Sequence, residues 1–341
     1  MQKIIVTGGT GYIGSHTVVE FQNAGFEVII IDNLSNSTIE VLDGIEKITG
    51  IKPAFLKSDV TNISDMKKIF SEHNDAIAVV HFAASKAVGE SVQKPLLYYY
   101  NNIMGLINIL SQMLKNNILN FVFSSSCTVY GQPEKLPVTE SSPVLKAESP
   151  YGNTKKISEE IIVDTINSNN NLKTISLRYF NPIGAHPSAE IGELPLGVPN
   201  NLLPYITQTA IGLREKLSVF GNDYNTPDGT PIRDYINVVD LAKAHVVAVE
   251  RLISDKNAEN YEIFNIGTGK GVSVLEIIET FEKTTNQKLP YQIVGRRAGD
   301  IEKVWADTTK ANKILGWKAE KTLDETVKSA WNWEKKLNSV K

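Results

Sequence analysis

Short runs of apolar, often β-branched residues recur along the chain, and most are followed by a longer stretch with helical periodicity. The runs are continuously apolar instead of alternating, which is typical of strands covered on both faces in a parallel sheet of βαβ units. The pattern predicts seven strands: Lys3 to Thr7, Glu27 to Asp32, Ala54 to Lys57, Ile77 to Phe82, Asn120 to Ser124, Thr174 to Arg178 and Tyr261 to Asn265. The predicted fold class is therefore α/β, with a Rossmann-type doubly wound parallel sheet.

The sequence changes character after Arg178, where loops rich in proline and glycine replace the strand–helix alternation. Such loops carry function more often than packing. We therefore predict a main domain at residues 1–180, to which residues 236–265 return with a helix from about Val238 to Leu252. A second, smaller substrate-binding lobe is expected at residues 181–235 and 266–341.

Composition excludes several classes of protein. The 341 residues are 42% hydrophobic and 21% charged, as in an ordinary globular protein of about two domains. With 35 basic and 38 acidic residues the net charge is −3, too balanced for a nucleic-acid binder. No run approaches the roughly 20 apolar residues of a membrane span. The lone cysteine, Cys127, and the absence of a signal peptide predict a cytoplasmic location.

The first predicted strand runs directly into a glycine-rich turn and then a helix. Gly9, Gly11 and Gly14 fit G-x-G-x-x-G, and Gly8, Gly11 and Gly14 fit G-x-x-G-x-x-G. In this context the missing side chains let the backbone approach a pyrophosphate at a helix N-terminus. Asp32 ends the second strand 18 residues after Gly14, where an acid accepts hydrogen bonds from ribose hydroxyls and repels a 2′-phosphate. The spacing predicts NAD; the alternative is a turn with a surface aspartate.

Two further strand ends belong to the same predicted site. Asp59 and Val60 follow the third strand, where an adenine would rest, and Phe82, Ala83 and Ala84 end the fourth strand near the nicotinamide ribose. Taken singly, each of these could equally be an ordinary strand-end residue.

A candidate catalytic group follows the fifth strand. Lys155 follows Tyr151 by four positions at the start of a predicted helix, so both side chains project from one face. An ammonium beside a phenol favours the phenolate, and the positive nicotinamide ring of the predicted cofactor adds to this effect. Together they would lower the tyrosine pKa towards neutrality and make it a general base. Ser126, at the strand end, could share a hydrogen bond with a substrate hydroxyl. The alternatives are a surface Tyr–Lys pair and serines that satisfy loop backbone, while Cys127 is expected to be a buried hydrophobe.

Together these motifs are similar to those of the extended short-chain dehydrogenases/reductases, and the longer strings resemble the UDP-glucose 4-epimerase family. The strings run over nearly the whole chain: Thr7–His16, Lys86–Ser91, Ser124–Gly131, Arg178–Pro182 and Arg233–Tyr235.

The resemblance implies a set of site residues. Ser126, Tyr151 and Lys155 would be catalytic. Cofactor contacts would also come from Tyr12, Ile13, Asn33, Asn36, Ser37, Lys86, Asn101 and Phe180, with Tyr151 and Lys155. The substrate would contact Lys86, Ser126 and Tyr235. Asn181 and Asn201 would bind its diphosphate, and Phe220 would lie against the uracil.

Two arginines and an acid are the candidates for gripping a nucleotide diphosphate. Arg233 and Arg297 suit phosphate oxygens because guanidinium forks keep their charge when buried. Asp300, three residues after Arg297, suits the uridine ribose hydroxyls. The alternative is that these residues form ordinary surface ion pairs.

The implied reaction is inversion at C4 of a UDP-hexose, between UDP-glucose and UDP-galactose, through a 4-keto intermediate with tightly bound NAD. One alternative is a nucleotide-sugar 4,6-dehydratase, which usually has an Asp-Glu pair after the hydroxyl residue; here Cys127 and Thr128 follow Ser126. Another is a non-catalytic NAD sensor, which would have no need for Ser126, Tyr151 and Lys155 together.

The resemblance also implies a homodimer and a wider substrate range. The apolar run Ile103 to Leu114 and the helix from Tyr151 to Ile166 could pair between subunits, or pack within one. Val304 would lie beside the C2 substituent of the hexose, where a small residue leaves room for an N-acetyl group. We therefore expect activity on UDP-GlcNAc and UDP-GalNAc; the alternative is that Val304 packs in the lobe core.

Overall fold

The computed structural model describes residues 1–297 and 300–339. Its strands, in chain order, are β1 (Lys3–Thr7), β2 (Glu27–Asp32), β3 (Ala54–Lys57), β4 (Ala78–His81), β5 (Asn120–Ser126), β6 (Lys173–Tyr179), β7 (Asn181–Ile183), β8 (Leu217–Phe220), β9 (Ile232–Arg233), β10 (Tyr235–Asn237), β11 (Tyr261–Ile266), β12 (Val272–Ser273), β13 (Tyr291–Val294) and β14 (Lys303–Val304).

The helices are α1 (Tyr12–Asn23), α2 (Val41–Thr49), α3 (Ile63–Glu72), α4 (Val88–Gln93), α5 (Pro95–Tyr99), α6 (Gly105–Lys115), α7 (Pro150–Ser168), α8 (Leu202–Ala210), α9 (Val238–Ile253), α10 (Val274–Thr285) and α11 (Leu323–Ser339). Short π-helical turns occur at Tyr100–Met104 and Ala311–Leu315, and a 3₁₀ turn at Cys127–Tyr130.

Seven parallel strands form the central sheet in the order β11-β6-β5-β4-β1-β2-β3. This confirms the predicted α/β class and doubly wound topology. All seven predicted strands are present, with ends that differ by one or two residues. The order reverses direction between β1 and β4, and ligands of such sheets bind at the carboxyl ends of the strands near that point.

The sheet is covered on both faces because alternate residues of each strand enter different cores. Ile4 and Val6 of β1 pack with α1 and α9 on one face, and Ile5 packs with α3 and α6 on the other. All three side chains are fully buried. Continuous apolar runs are the sequence signature of this double burial.

The remaining strands form small sheets, β10-β7, β12-β9-β14 and β13-β8, beside a separate core that contains side chains from α8, α10 and α11. One segment expected in the lobe packs elsewhere: Ala311, Leu315 and Trp317 belong to the core of the main domain. The indole of Trp317 donates to the backbone carbonyl of Asp240 in α9 at 2.9 Å. That bond attaches the segment to the main domain, a contact that composition alone does not reveal.

No helix in residues 1–297 and 300–339 has both the length and the apolar character that crossing a bilayer requires.

Candidate active site

The glycine-rich turn after β1 is packed so closely that two of its positions exclude a side chain. Gly8 has φ +71°, and a Cβ there would lie 2.7 Å from the backbone nitrogen of Ala83. A Cβ on Gly14, in the first turn of α1, would lie 2.1 Å from the carbonyl oxygen of Gly8. The result is an open backbone surface at the N-terminus of α1, which fits a pyrophosphate.

Asp32, at the end of β2, lies against this turn. Its carboxylate accepts from the backbone nitrogens of Thr10 at 3.2 Å and Leu34 at 2.9 Å. The hydroxyls of Thr10 and Ser37 are 2.7 Å apart. The acid is thus oriented by the loop at the place where an adenosine ribose would be recognised. Asn36 lies exposed in the same loop.

The other predicted cofactor contacts line the neighbouring strand ends. The amide of Asn33 donates to Asp59 at 2.9 Å, which joins the loops after β2 and β3. Val60 is buried, and Ala83 donates its backbone N–H to the Thr7 hydroxyl at 3.4 Å.

The remaining members of the predicted cofactor set lie around this edge. The Asn101 amide donates to the Ser85 hydroxyl at 3.3 Å, just beyond Ala84. The ring centroids of Phe82 and His245 lie 4.7 Å apart. Tyr12 donates its hydroxyl to the Gly184 carbonyl at 2.7 Å, Ile13 follows it in α1, and Phe180 is buried directly after β6.

The catalytic candidates come together where β5 ends beside α7. Ser149 caps α7 by accepting from the Gly152 N–H at 3.2 Å, which sets the first turn that carries Tyr151. Lys155 is buried and donates its ammonium to the Ser124 carbonyl at 2.5 Å. Ser126 accepts from the backbone N–H of Thr128 at 3.2 Å and from its hydroxyl at 3.0 Å.

Burial dominates the ionisation of this group. It raises the pKa of Tyr151 to about 12, while a hydrogen bond from Ser126 lowers that pKa. It also lowers the pKa of Lys155 to about 7, while the charge of Glu159 raises it. The expected lowering of the Tyr151 pKa is thus wrong for the chain by itself. Desolvation opposes the phenolate. The expectation also depended on the charge of the nicotinamide ring, which the chain does not supply.

On the lobe side, the two arginines and the acid form one cluster. Arg233 donates to the Asp300 carboxylate at 2.5 Å and to the Ile301 carbonyl at 2.6 Å. Arg297 lies 3.7 Å from Asp300, with its guanidinium 5.8 Å from the ring centroid of Phe220. The Arg233–Asp300 contact is largely shielded from solvent, whereas Arg297, which is about half exposed, forms with Asp300 the kind of surface ion pair that the alternative interpretation expected.

A carboxylate that sequence reasoning missed joins the two halves of the site. Glu193 accepts from the Asn201 amide at 2.5 Å and lies 3.7 Å from the Lys86 ammonium. Glu193 carries no motif that would single it out. Glu159 was missed as well, although its spacing of four residues from Lys155 was visible in the sequence.

Asn181, Tyr235 and Val304 lie in the short strands between the domains. Asn181 and Tyr235 are paired across β7 and β10. Val304 is 1% exposed and packs in a cluster with Cys127 and Phe180, next to Ser126. Burial raises the pKa of the Cys127 thiol to about 12, which makes this cysteine a poor nucleophile.

Among residues 1–297 and 300–339, no group of three or more His, Cys, Asp or Glu side chains is placed to hold a metal ion.

Comparison with known proteins gives a consistent result over the whole chain. Residues 5–330 match a family model described as GDP-mannose 4,6 dehydratase. A UDP-glucose 4-epimerase of Dictyostelium discoideum is 51% identical over 97% of this chain and 95% of its own, and one of Bacillus subtilis is 50% identical over 97% and 96%. A crystal structure of a Stenotrophomonas maltophila UDP-glucose-4-epimerase with bound NAD and formylated UDP-arabinopyranose is 44% identical, with TM-score 0.96 and complete coverage of both chains.

Proposed function

The chain belongs to the UDP-glucose 4-epimerase family, within the extended short-chain dehydrogenases/reductases, and on that premise we propose that it interconverts UDP-glucose and UDP-galactose. It is an NAD-dependent isomerase. The single observation that supports this is that Ser126 ends β5 at the carboxyl edge of the sheet, while Tyr151 and Lys155 lie in the first turns of α7, from which the Lys155 ammonium donates to the Ser124 carbonyl of β5.

The residues present fit NAD. Gly8 and Gly14 leave the backbone open to the pyrophosphate, and Asp32 is oriented to accept from ribose hydroxyls. When bound, NAD would supply the hydride acceptor and donor for C4 of the sugar and the positive charge of its oxidised nicotinamide ring.

The chain's own residues move the proton and hold the substrate. Tyr151 takes the proton of the 4-hydroxyl and later returns it, while Ser126 shares the hydrogen bond and the Lys155 ammonium favours the phenolate. Arg233 and Arg297 would grip the diphosphate from the lobe, which leaves the hexose free to present either face of its 4-keto form.

Product analysis tests this function. The purified protein should convert UDP-galactose to UDP-glucose without added NAD and without net NADH, because the cycle is redox neutral. Stoichiometric NADH release would contradict it. The dehydratase alternative is not favoured: Ser126 is followed by Cys127 and Thr128, and neither side chain is an acid.

We further propose that the enzyme accepts UDP-GlcNAc and UDP-GalNAc. Val304 is a small side chain in the cluster that includes Phe180 and Cys127, the residue that follows Ser126 in the chain. An N-acetyl group adds bulk at C2 of the sugar, and a packed site can absorb added volume only with strain of about 1–3 kcal/mol. The smaller the residue at 304, the less strain the larger sugar incurs.

Val304→Tyr should abolish turnover of the N-acetylated pair and keep that of the plain pair, because Val304 lies in a buried cluster and a ring there would take up the space that the N-acetyl group needs. Assays of wild type and variant on both substrate pairs measure this, with Val304→Leu as a smaller control. A wild type inert towards UDP-GlcNAc and UDP-GalNAc would end the proposal.

We propose that two copies of the chain form a homodimer. The sequence indicated two stretches that could pair between subunits or pack within one, Ile103 to Leu114 and Tyr151 to Ile166. Most apolar residues of α6, such as Leu106, Ile109 and Met113, are buried within the subunit core. One run of exposed apolar residues extends over α4, α5, the π-helical turn at Tyr100–Met104 and the start of α6, and its last two members belong to the first stretch: Val88, Val92, Leu96, Leu97, Tyr100, Met104 and Ile107. An apolar face of this kind marks an interaction site.

Leu96 is 81% exposed at the centre of this apolar face. Light scattering of the wild type should give a particle of twice 37.7 kDa, and Leu96→Lys should give 37.7 kDa because it introduces a charge into the interface. Leu213→Lys is the matched control, since Leu213 is an exposed leucine of the lobe. A 37.7 kDa wild type would refute the dimer.

We also propose a cytoplasmic location, which suits a chain whose one cysteine, Cys127, has no second cysteine with which to form a disulfide.

A further inference from the structure

Behind the catalytic group, α7 carries one more polar residue on the same face. Tyr151, Lys155 and Glu159 follow one another at intervals of four residues, so their side chains lie one above the other along the helix. The first two belong to the proposed chemistry. Glu159 is buried, and the proton transfer does not use it.

Glu159 is held in a fixed position by two strands of the sheet. Arg178 of β6 donates from Nε to Oε1 at 2.9 Å and from Nη2 to Oε2 at 2.5 Å. Ser125 of β5 donates its hydroxyl to Oε1 at 2.6 Å. The guanidinium in turn lies 4.9 Å from the ring centroid of Tyr130. Bidentate, charge-assisted bonds of this kind fix the position and orientation of the Glu159 side chain.

The surroundings of Lys155 explain why a carboxylate there matters. The ammonium donates to the Ser124 carbonyl at 2.5 Å and lies 4.9 Å from the Phe123 ring, and neither group carries a charge. His81, on β4, is neutral because burial lowers its pKa to about 3. Tyr179, on β6, hydrogen-bonds to the Ser124 hydroxyl, and burial raises its pKa far above the ordinary value.

Of the charged and titratable groups that face Lys155, Tyr151 is the reacting phenol. Glu159 is the group whose negative charge raises the pKa of Lys155, against the lowering by burial. Arg178, on the far side of Glu159, fixes the carboxylate.

We propose that Glu159 is a positioning residue of the active site: clamped by Arg178 and Ser125, it keeps Lys155 an ammonium beneath Tyr151 and holds in place the strand end that carries Ser124 to Ser126. The charge of Lys155 stabilises the Tyr151 phenolate. The strand end contributes through the Ser124 carbonyl, which accepts a hydrogen bond from Lys155 and so keeps it in position. The inference rests on the proposed function, because it assumes that Tyr151 is the base.

A role in stability alone does not account for the Glu159–Arg178 pair. Buried ion pairs are expensive to desolvate, and well-packed apolar residues of similar volume often replace them without loss of stability. The pair nevertheless lies one helical turn from Lys155 and bonds to the residue between Ser124 and Ser126.

Glu159→Gln tests the proposal in the enzyme with its cofactor. Ultraviolet difference titration, with Tyr151→Phe as the reference, follows the ionisation of Tyr151. In the glutamine variant this ionisation should move to higher pH by about one unit, because Lys155 loses its proton more easily and supports the phenolate less. The acidic limb of kcat should move with it, giving about tenfold lower kcat at a given pH there and an unchanged KM for UDP-glucose. Glu159→Asp, which keeps the charge, should restore most of the loss.

Glu262→Gln is the matched control. Glu262 forms a comparable buried pair with Arg251, at 2.6 and 2.8 Å, near the opposite end of β11 from the site. It should leave the Tyr151 titration unchanged. A Glu159→Gln titration that overlays the wild type, or an equal shift in Glu262→Gln, would overturn the proposal.

A second variant covers the case in which Glu159→Gln leaves Arg178 unpaired and the protein does not fold. Glu159→Gln combined with Arg178→Met removes both charges, and the Tyr151 shift should persist. If neither form folds, the pair serves stability and the proposal is wrong. A different outcome is that the wild type lacks epimerase activity while the Tyr151 titration still differs between wild type and Glu159→Gln. That result would contradict the proposed function and keep the role of Glu159.

Discussion

Replacing Tyr151 with phenylalanine is expected to lower kcat for UDP-galactose by about 10²–10⁴, the range that a positioned general acid–base contributes. The exchange removes one hydroxyl from the first turn of α7, close to Ser126. The ring keeps its packing, so NAD content and thermal stability should match those of the wild type. Steady-state kinetics and the amount of nucleotide released on denaturation measure the two effects.

Tyr261→Phe is the control for losing a buried tyrosine hydroxyl. That hydroxyl donates to Ser176 at 3.0 Å and lies outside the proposed chemistry, so activity should persist. A Tyr151→Phe enzyme as fast as the wild type would make another group the base. Loss of NAD together with activity would mean that Tyr151 serves binding instead.

The fold could be predicted because its strands are buried on both faces, and such strands are visible as apolar runs. Pattern alone ended the fifth strand at Ser124, yet β5 continues through Ser126. The polar end stays in the sheet because tertiary partners satisfy it: Tyr179 hydrogen-bonds to Ser124, and Ser125 donates to Glu159. Those partners are 55 and 34 residues away, beyond any local pattern.

The candidate site divides in the same way. The glycine turn and the spacing of Tyr151 and Lys155 are local, so the sequence predicts them. The pairing of Arg233 with Asp300 joins residues 67 apart and depends on how β9 and the chain before β14 meet. The sequence suggested both residues as ligands but not their contact.

The pKa of Tyr151 is a property that the spacing of residues in the sequence does not predict. A lysine four positions away predicts a lowered pKa of Tyr151, whereas burial in the folded chain raises that pKa and outweighs the lowering by Ser126. Burial is a property of the assembled fold. Residue types identify the participants in the chemistry, and the surrounding protein sets their charge.

Gly14→Ala is expected to weaken NAD binding by about 5–150-fold, since forcing a methyl group into a packed site costs about 1–3 kcal/mol. Its Cβ would lie 2.1 Å from the Gly8 carbonyl and 2.9 Å from the Gly9 Cα, so the turn must move away from α1 and open the pyrophosphate surface. The nucleotide that copurifies with the protein, and titration of the stripped protein with NAD, measure the loss.

Gly89→Ala makes the same exchange where nothing lies within 4 Å of the added Cβ, and it should retain NAD like the wild type. Excess NAD should restore turnover to Gly14→Ala, because Ser126, Tyr151 and Lys155 lie on β5 and α7 and are not displaced. A Gly14→Ala protein with full NAD content would show that the turn does not hold the pyrophosphate. One that NAD cannot rescue would show that the strain reaches the catalytic residues across the sheet.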